Sequence, residues 1–391
     1  MDSVSLEEML KGFSCPHEHL DDELFNQIVA EHAAATARVA LERHSAALQQ
    51  NGEGVAELLE QVVERGLDLP DAWETSWGDL FRTIHDQPTA AIADAAASLA
   101  LWLGACGIPS DWSLRFTQPQ RLRWDRILLP LATNIQVKSD GHLAQITLAN
   151  REGGRDVITV RREGQHWQAY GRVRVLPAIE TSDGKIILLT ENAISEQTAN
   201  YLELRNSNVS SELAEHTVSL FREGVAFLQL YAPRYIPWIF RVVRHIIPLK
   251  PEPRIFTSGS SAETPGMIHM SLTQDPRAIA EVLVHEATHQ YIHVVRWLGP
   301  LDDGTDANLY YSPLKKLDRP LFLILVAFHA VVNISLYYRD CRENGAPDNG
   351  FFSRNEPIVL RQIDQLVMPL RGNAALTDLG RALCQPLLER L

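Results

Sequence analysis

The sequence has few cysteines and no hydrophobic segment long enough to cross a membrane, and each shortage excludes a class of protein. The 391 residues include four cysteines, Cys15, Cys106, Cys341 and Cys384. They lie far apart, which argues against a disulfide framework and indicates reduced thiols in a cytoplasmic protein. The longest apolar run, 321–336, is shorter than the roughly twenty residues of a membrane span. We therefore expect a soluble chain in which this run forms a buried helix.

Positive charge is also in short supply. The chain has 36 Lys and Arg against 49 Asp and Glu, a net charge of −13. Because phosphate groups would be repelled, we expect neither nucleic acid nor an anionic membrane as a partner. Residues 1–8 are acidic and lack the apolar core of a signal peptide, which again favours the cytoplasm. A cationic peptide partner is compatible with this charge.

The patterns along the chain divide it into three regions. Residues 1–115 show helical periodicity, most clearly over 23–50. Residues 116–195 contain short β-type runs separated by Gly-containing turns, which is typical of an antiparallel meander. Residues 196–391 return to helical periodicity, for example over 235–247. The prediction is an α+β protein, predominantly helical, with an N-terminal helical region, a central antiparallel β-meander and a C-terminal helical catalytic region.

The third region contains the most informative motif, His285-Glu286-Ala287-Thr288-His289. On a helix, residues four apart lie on one face, so both imidazoles can reach one metal ion. Asp275 as N-cap, Pro276 at the first helical position and Gly299 at the end favour such a helix. Two histidines on a buried stripe are costly without a ligand, which favours a metal over the alternative of two hydrogen-bonded core histidines.

A third metal ligand is expected downstream. His293 extends the row by one turn, but three ligands in line on a straight helix cannot converge on one ion. Asp306 lies in a run that resembles the Gly-Thr-x-Asp-x-x-Tyr motif of aspzincin proteases, although Ala307 occupies the ligand position. We predict His329, in the apolar helix that can pack beside the metal helix; the alternative is a core histidine. With the two motif histidines it would suit Zn(II) or Fe(II).

The segment before the apolar helix is rich in hydroxyl groups and cations. It contains Tyr311, Ser312, Lys315, Lys316 and Arg319. An arginine at the entrance of a buried helix can hold a carboxylate through two parallel hydrogen bonds. A solvated basic loop is the alternative interpretation.

The order of these features resembles that of a known family. The motif follows the Pro-rich turn 249–253 and the strand-like run 267–272, and it precedes Tyr311-Ser312-Pro313, Arg319-Pro320 and His329-Ala330. This order is similar to that of the HExxH-type peptide β-hydroxylases, which depend on iron and 2-oxoglutarate. Bacteria encode these enzymes beside ribosomally made peptides, which they modify. The resemblance is clearest from about 215 to 340.

The resemblance implies Fe(II) at His285 and His289, with a third ligand from the downstream helix that we assign to His329. It also implies that Arg319, with Ser312 nearby, binds the 2-oxoglutarate carboxylate, although Lys315-Lys316 replaces an expected Trp-Arg. Three protein ligands leave about three positions on six-coordinate iron for 2-oxoglutarate and dioxygen. The expected reaction is hydroxylation of a β-carbon in a ribosomally synthesised precursor peptide, with Glu286 orienting a ligand or water.

Two other functions use the same side chains. In a zinc metallopeptidase, Glu286 would be the general base that activates a zinc-bound water. A peptide-binding protein with a degenerate site would keep the helix without any chemistry. The motif alone does not choose among the three.

Overall fold

The structure, a computed structural model, describes residues 5–16, 22–65, 72–86, 91–194, 198, 199, 202, 204, 209, 212–250 and 256–391. It is a mixed α+β protein in which helices predominate, which confirms the predicted class. The helices of the described part are α1 (Leu6–Ser14), α2 (Asp22–Asn51), α3 (Val55–Arg65), α4 (Thr75–Asp86), α5 (Ile92–Ala105), α6 (Glu215–Tyr231), α7 (Tyr235–Val242), α8 (Pro276–Leu298), α9 (Leu321–Glu343), α10 (Phe351–Leu370) and α11 (Asp378–Leu388).

The strands form two larger and two smaller sheets. In chain order they are β1 (Gly52–Glu53), β2 (Ser110–Gln120), β3 (Arg123–Trp124), β4 (Ile127–Leu128), β5 (Ala132–Ser139), β6 (Leu143–Ala149), β7 (Arg155–Glu163), β8 (His166–Tyr170), β9 (Arg174–Val175), β10 (Ala178–Thr181), β11 (Gly184–Leu188), β12 (His245–Leu249), β13 (Ser258–Ser260), β14 (Met267–Ser271), β15 (Tyr310–Ser312) and β16 (Leu317–Arg319).

The first large sheet is the predicted antiparallel meander, although its membership differs from the prediction. Its strand order is β1-β2-β5-β6-β7-β8, and all of its pairings are antiparallel. β2 begins at Ser110, before the expected boundary at 116, and β10 and β11 join the other large sheet. The meander therefore ends near Tyr170, and the following strands help to build the base of the C-terminal region.

The second large sheet is mixed, with the order β10-β11-β12-β14-β13. Its central strands β11, β12 and β14 are parallel, and the two edge strands are antiparallel to their neighbours. The helix predicted over 235–247 is wrong at its end, because α7 stops at Val242 and β12 begins at His245. The reason is burial on both faces. Such a strand reads as a continuous apolar run rather than an alternating one.

The two faces of this sheet contact different cores. Successive side chains along each strand point to opposite faces of the sheet, so they fall into two groups. One group faces the main core and includes Ile186, Leu188, Ile246, Ile268 and Met270. The other group faces a smaller core and includes Ile187, Leu189, Ile247, Leu249 and Met267. We call these the helix face and the cavity face of the sheet.

The main core extends from Leu10 in α1 to Leu387 in α11, so the three regions of the sequence share one core. Within the described residues, α9 is the one helix long and apolar enough to span a membrane. Most of it is buried inside the protein, as in a soluble protein with a core helix. The expected boundary near residue 195, and Pro251 to Pro253 of the Pro-rich turn, lie outside the described residues.

Candidate metal centre

The motif lies on α8, whose ends are set by the expected local signals. The Asp275 side chain accepts a hydrogen bond from the backbone N–H of Arg277, and Pro276 begins the helix. Gly299 ends it with a φ of 155°. The helix packs against α6, α9 and the edge strand β13. The sequence therefore predicted this helix correctly at both ends.

His285 and His289 converge on one point. Their Nε2 atoms are 3.1 Å apart, and the ring planes are nearly perpendicular at 88°. With metal–nitrogen bonds of about 2.0–2.1 Å, this separation corresponds to a nitrogen–metal–nitrogen angle of roughly 95–100°, between the octahedral and tetrahedral values. Burial lowers the pKa of His289 well below its ordinary value, helped by the nearby His285, so the ring is in the neutral form that binds a metal. The pair fits a metal ion.

Glu286 is buried between this helix and the sheet, with 1% of its surface exposed. One carboxylate oxygen, Oε2, accepts a hydrogen bond from Ser260 Oγ at 3.0 Å. The other, Oε1, lies 3.9 Å from His285 Nε2 and has no hydrogen-bond partner within the described residues. Ser260 therefore orients the carboxylate and leaves one oxygen beside the histidine pair.

His329 lies on α9, which packs beside the metal helix, and it is 1% exposed. Its Nε2 donates to the backbone carbonyl of Phe13 at 3.1 Å, and its Nδ1 has no partner in the described part of the chain. Burial lowers its pKa to about 4. A neutral ring with one nitrogen bonded to a backbone carbonyl is the usual state of a metal-binding histidine, but backbone groups of Ser14 and Thr288 also interact with this ring, as they would with a core histidine.

The described residues nevertheless contain no group of three His, Cys, Asp or Glu side chains arranged around a single ion. Two of the three predicted ligands are thus brought together, and the assignment of the third to His329 stays a prediction. His293, one turn beyond His289, has two buried ring nitrogens without a hydrogen-bond partner in the described region. Burial lowers the pKa of His293 to about 4.

Asp306 has a structural role in this arrangement. Its Oδ1 accepts from the backbone and side chain of Asn308, and its Oδ2 accepts from Tyr310 and Asn373. These hydrogen bonds, led by the one from Asn373, lower the pKa of Asp306 to about 2. Its carboxylate therefore braces the loop before β15 instead of serving as a free ligand.

The hairpin β15–β16 carries the predicted co-substrate residues and leads directly into α9. Ser312 is fully buried, and its Oγ has no hydrogen-bond partner within the described residues. Arg319 is partly exposed at the end of β16, opposite Tyr310. Lys315, in the turn between the strands, lies near enough to the metal helix that its charge lowers the pKa of His289. The sequence had not assigned a role to Lys315.

Ser260 and Lys315 are the site residues that the sequence did not single out. Ser260 reaches the site because β13 pairs with β14 beside α8. Lys315 lies in the hairpin that packs against α9 and α10, and its charge acts on His289. Neither arrangement is specified by a pattern within one segment of the sequence.

Comparisons with known proteins give no information about this site. No protein-family model matches this chain, and no curated protein matches it.

Proposed function

We propose that this protein is a cytoplasmic Fe(II)- and 2-oxoglutarate-dependent hydroxylase that acts on a β-carbon of a ribosomally synthesised precursor peptide. His285 and His289 would hold the iron, with His329 as the third ligand. With its two co-substrates, bound Fe(II) supplies the oxidation that replaces a C–H bond by C–OH, while 2-oxoglutarate and dioxygen become succinate, carbon dioxide and the new hydroxyl.

The observation that carries this proposal is the cation- and hydroxyl-bearing hairpin that packs against α9 and whose Lys315 acts on His289. A dicarboxylate co-substrate needs several cations and hydroxyl donors next to the metal, whereas a peptidase needs there a donor for the oxyanion of its tetrahedral intermediate. Lys315 is close enough to influence His289, and Ser312 offers a buried hydroxyl without a partner within the described residues. Arg319 adds a second cation on the same hairpin. Charge-assisted hydrogen bonds from these groups would hold and orient the co-substrate carboxylate.

Two features support an extended peptide as the substrate. β13 is an edge strand of the mixed sheet, and its Ser260 touches Glu286, so a peptide added to this edge would run past the site. The hairpin also exposes three large apolar side chains, Leu309, Tyr311 and Leu317, each at least half exposed. Exposed apolar groups of this kind at a site favour contact with another chain.

A zinc metallopeptidase is the second candidate, and one observation favours it. Glu286 Oε1 lies 3.9 Å from His285 Nε2, unpartnered within the described residues and oriented through the Ser260 hydrogen bond. A general base that activates a metal-bound water needs such a placement.

One experiment separates the two candidates. The protein is loaded anaerobically with Fe(II), mixed with a precursor peptide encoded beside its gene and with 2-oxoglutarate, and exposed to air. Mass spectrometry of the peptide should show the gain of one oxygen, with one succinate formed per hydroxylation. Peptide fragments that appear with Zn(II) and without 2-oxoglutarate would instead establish the peptidase. Retention of the peptide with neither product would indicate a binding protein.

A further inference from the structure

A second polar site lies on the cavity face of the mixed sheet. Here a cavity of about 670 Å³ is enclosed by this sheet, by α4 and α5, and by the end of the meander. Ile187, Leu189 and Met267 form its floor, and Trp102 and Trp167 stand in its walls. None of the residues assigned to the metal centre lines it. Its volume is that of a pocket for a small molecule, which typically has about 300–1,000 Å³.

Two buried polar atoms in its lining have no hydrogen-bond partner within the described residues. They are Nδ1 of His245, which is 1% exposed, and Oγ of Ser76, which is 7% exposed. The other ring nitrogen of His245 lies 3.7 Å from Glu74 Oε1, too far for a hydrogen bond. A buried polar atom without a partner is costly, so these atoms indicate a ligand with polar groups of its own.

The charges around the cavity leave a surplus of arginine. Every carboxylate in the described lining has a cationic partner: Glu74 with Arg123, Asp79 with Arg82, Asp125 with Lys185, and Glu180 with Arg126. Arg121 and Arg162 line the same cavity, are exposed, and have no ion-pair partner within the described residues. The described lining carries five Lys and Arg against four Asp and Glu, in a chain whose net charge is −13. A guanidinium group without a carboxylate partner favours a phosphate or carboxylate ligand.

The register of the meander places one of these arginines beside an aromatic wall. Arg162 on β7 is directly opposite Trp167 on β8, so both side chains lie on the same face of the sheet. This is the face of Ile158 and Val160, which are buried on alternate positions of β7. Arg161 lies on the opposite face, and it does not line the cavity. The cavity therefore has its cations at the mouth and aromatic surface beside them.

We propose that this cavity binds a small aromatic anion of nucleotide size. Arg121 and Arg162 hold the anionic group at the mouth, the planar body packs against Trp102 and Trp167, and heteroatoms of the ring meet His245 and Ser76. An aliphatic ligand would leave those two polar atoms unpartnered, and a bare anion would leave the aromatic walls empty. Stacking on tryptophan stabilises any planar ring, which favours an aromatic ligand. The inference is independent of the function proposed for the metal centre.

The test uses the full-length protein and adenosine 5′-monophosphate as the probe. Binding is measured by calorimetry and by tryptophan fluorescence. Inorganic phosphate and adenosine are the controls, because they correspond to the anionic half and the aromatic half of the nucleotide. The nucleotide should bind at least tenfold more tightly than either half. Arg162→Ala and Arg121→Ala should each weaken binding about tenfold, the loss expected for a hydrogen bond to a charged group. Binding should also weaken as salt is raised.

Arg161→Ala is the matched control, because it removes the same side chain one residue away on the other face of β7. It should leave the affinity of the nucleotide unchanged. All of these arginines are exposed, so circular dichroism should show native helix content in each variant. Equal affinities of Arg161→Ala and Arg162→Ala, or nucleotide binding no tighter than that of phosphate alone, would overturn the proposal.

Discussion

The two faces of the mixed sheet use neighbouring residues for different purposes. On the helix face, Ser260 of β13 bonds to Glu286 of the metal helix. On the cavity face, the adjacent Gly259 lies beneath the His269 ring, and a Cβ at position 259 would be 2.8 Å from its Cε1 atom. Residues that are neighbours in the sequence thus lie on opposite faces of the sheet and contact different side chains. The strand period of two, and not proximity along the chain, decides which side chains act together.

The faces also differ in how their histidines are used. On the metal helix, the Nε2 atoms of His285 and His289 lie 3.1 Å apart, a distance that suits a hydrogen bond between the rings and that one bound metal ion could also bridge. On the cavity face, His245 and His269 stand apart on β12 and β14, each with an Nδ1 atom that has no hydrogen-bond partner within the described residues. We therefore expect metal binding to depend on the first pair and to be insensitive to the second.

The largest expected effect comes from removing one histidine of the metal pair. His289→Ala should weaken the binding of Fe(II) or Zn(II) by at least about 100-fold, since even outer contacts of a metal ligand are worth 10- to 100-fold. His269→Gln, on the cavity face, is the matched control and should bind metal as the wild type does. Metal affinity is measured by calorimetry under anaerobic conditions. Equal losses in the two variants would contradict the separation of the faces.

His329→Ala tests the third ligand in the same assay. Loss of Nδ1 should reduce iron occupancy, although less than loss of a motif histidine. Full occupancy would show that the buried ring only bonds to Phe13 and that another group completes the site. Native helix content by circular dichroism is the control for folding, because the side chain is buried.

A smaller effect is expected from the contact that links the metal helix to the edge strand. Ser260→Ala leaves Glu286 Oε2 without its 3.0 Å hydrogen bond. The free energy of unfolding should fall by about 1–2 kcal/mol, because a buried acceptor loses its donor. Ser258→Ala is the control on the same strand and face, and it should cost less than about 0.5 kcal/mol. Urea unfolding of the metal-free protein measures the free energy of unfolding of both variants. Equal losses in the two variants would show that Ser260 does not orient Glu286.

The metal helix was predictable because its signals are local. The cap at Asp275, the proline that follows, the four-residue spacing of the histidines and the terminal Gly299 all act within one helix. The apolar run forms the core helix α9, as predicted, but the helix continues from residue 336 to Glu343 and by length and apolarity alone could also span a membrane. Its burial identifies it as a core helix. The β-type runs between residues 116 and 195 were also recognised, but not their division among three sheets, because a strand does not encode its pairing partner.

The rest of the site depends on contacts between distant segments. β12 was assigned to a helix because a strand buried on both faces lacks alternation. The Ser260–Glu286 contact needs the β13–β14 pairing, and the influence of Lys315 on His289 needs the fold of the hairpin. The bond from His329 to Phe13 joins residues 316 positions apart. Sequence periodicity carries no information on such separations.

A further, smaller effect is expected from Lys315, and it tests whether the hairpin binds the co-substrate. Lys315→Asn should weaken 2-oxoglutarate binding to the Fe(II) protein about fivefold, the scale of one partly exposed charge pair. Lys316→Asn is the control on the same turn; its φ of 56° suits asparagine. Arg319→Ala should weaken binding by a similar factor while iron affinity stays unchanged. Calorimetry with 2-oxoglutarate distinguishes these outcomes, and equal affinities in all variants would place the co-substrate elsewhere.

The smallest effect is the pH dependence of stability that arises from His269 on the cavity face. Burial lowers the pKa of His269 from 6.5 to about 4, so the unfolded chain takes up the proton more readily than the folded protein. Stability from this group is complete above pH 6.5 and is lost as the pH falls towards 4. His269→Gln should therefore reduce the difference in the free energy of unfolding between pH 7.5 and 5.5 by about 1 kcal/mol. The same substitution at His142, exposed in a turn of the meander, should leave that difference as in the wild type. If both variants showed the same pH dependence of unfolding as the wild type, His269 would not be shielded from water. That result would contradict the packing of its ring over Gly259.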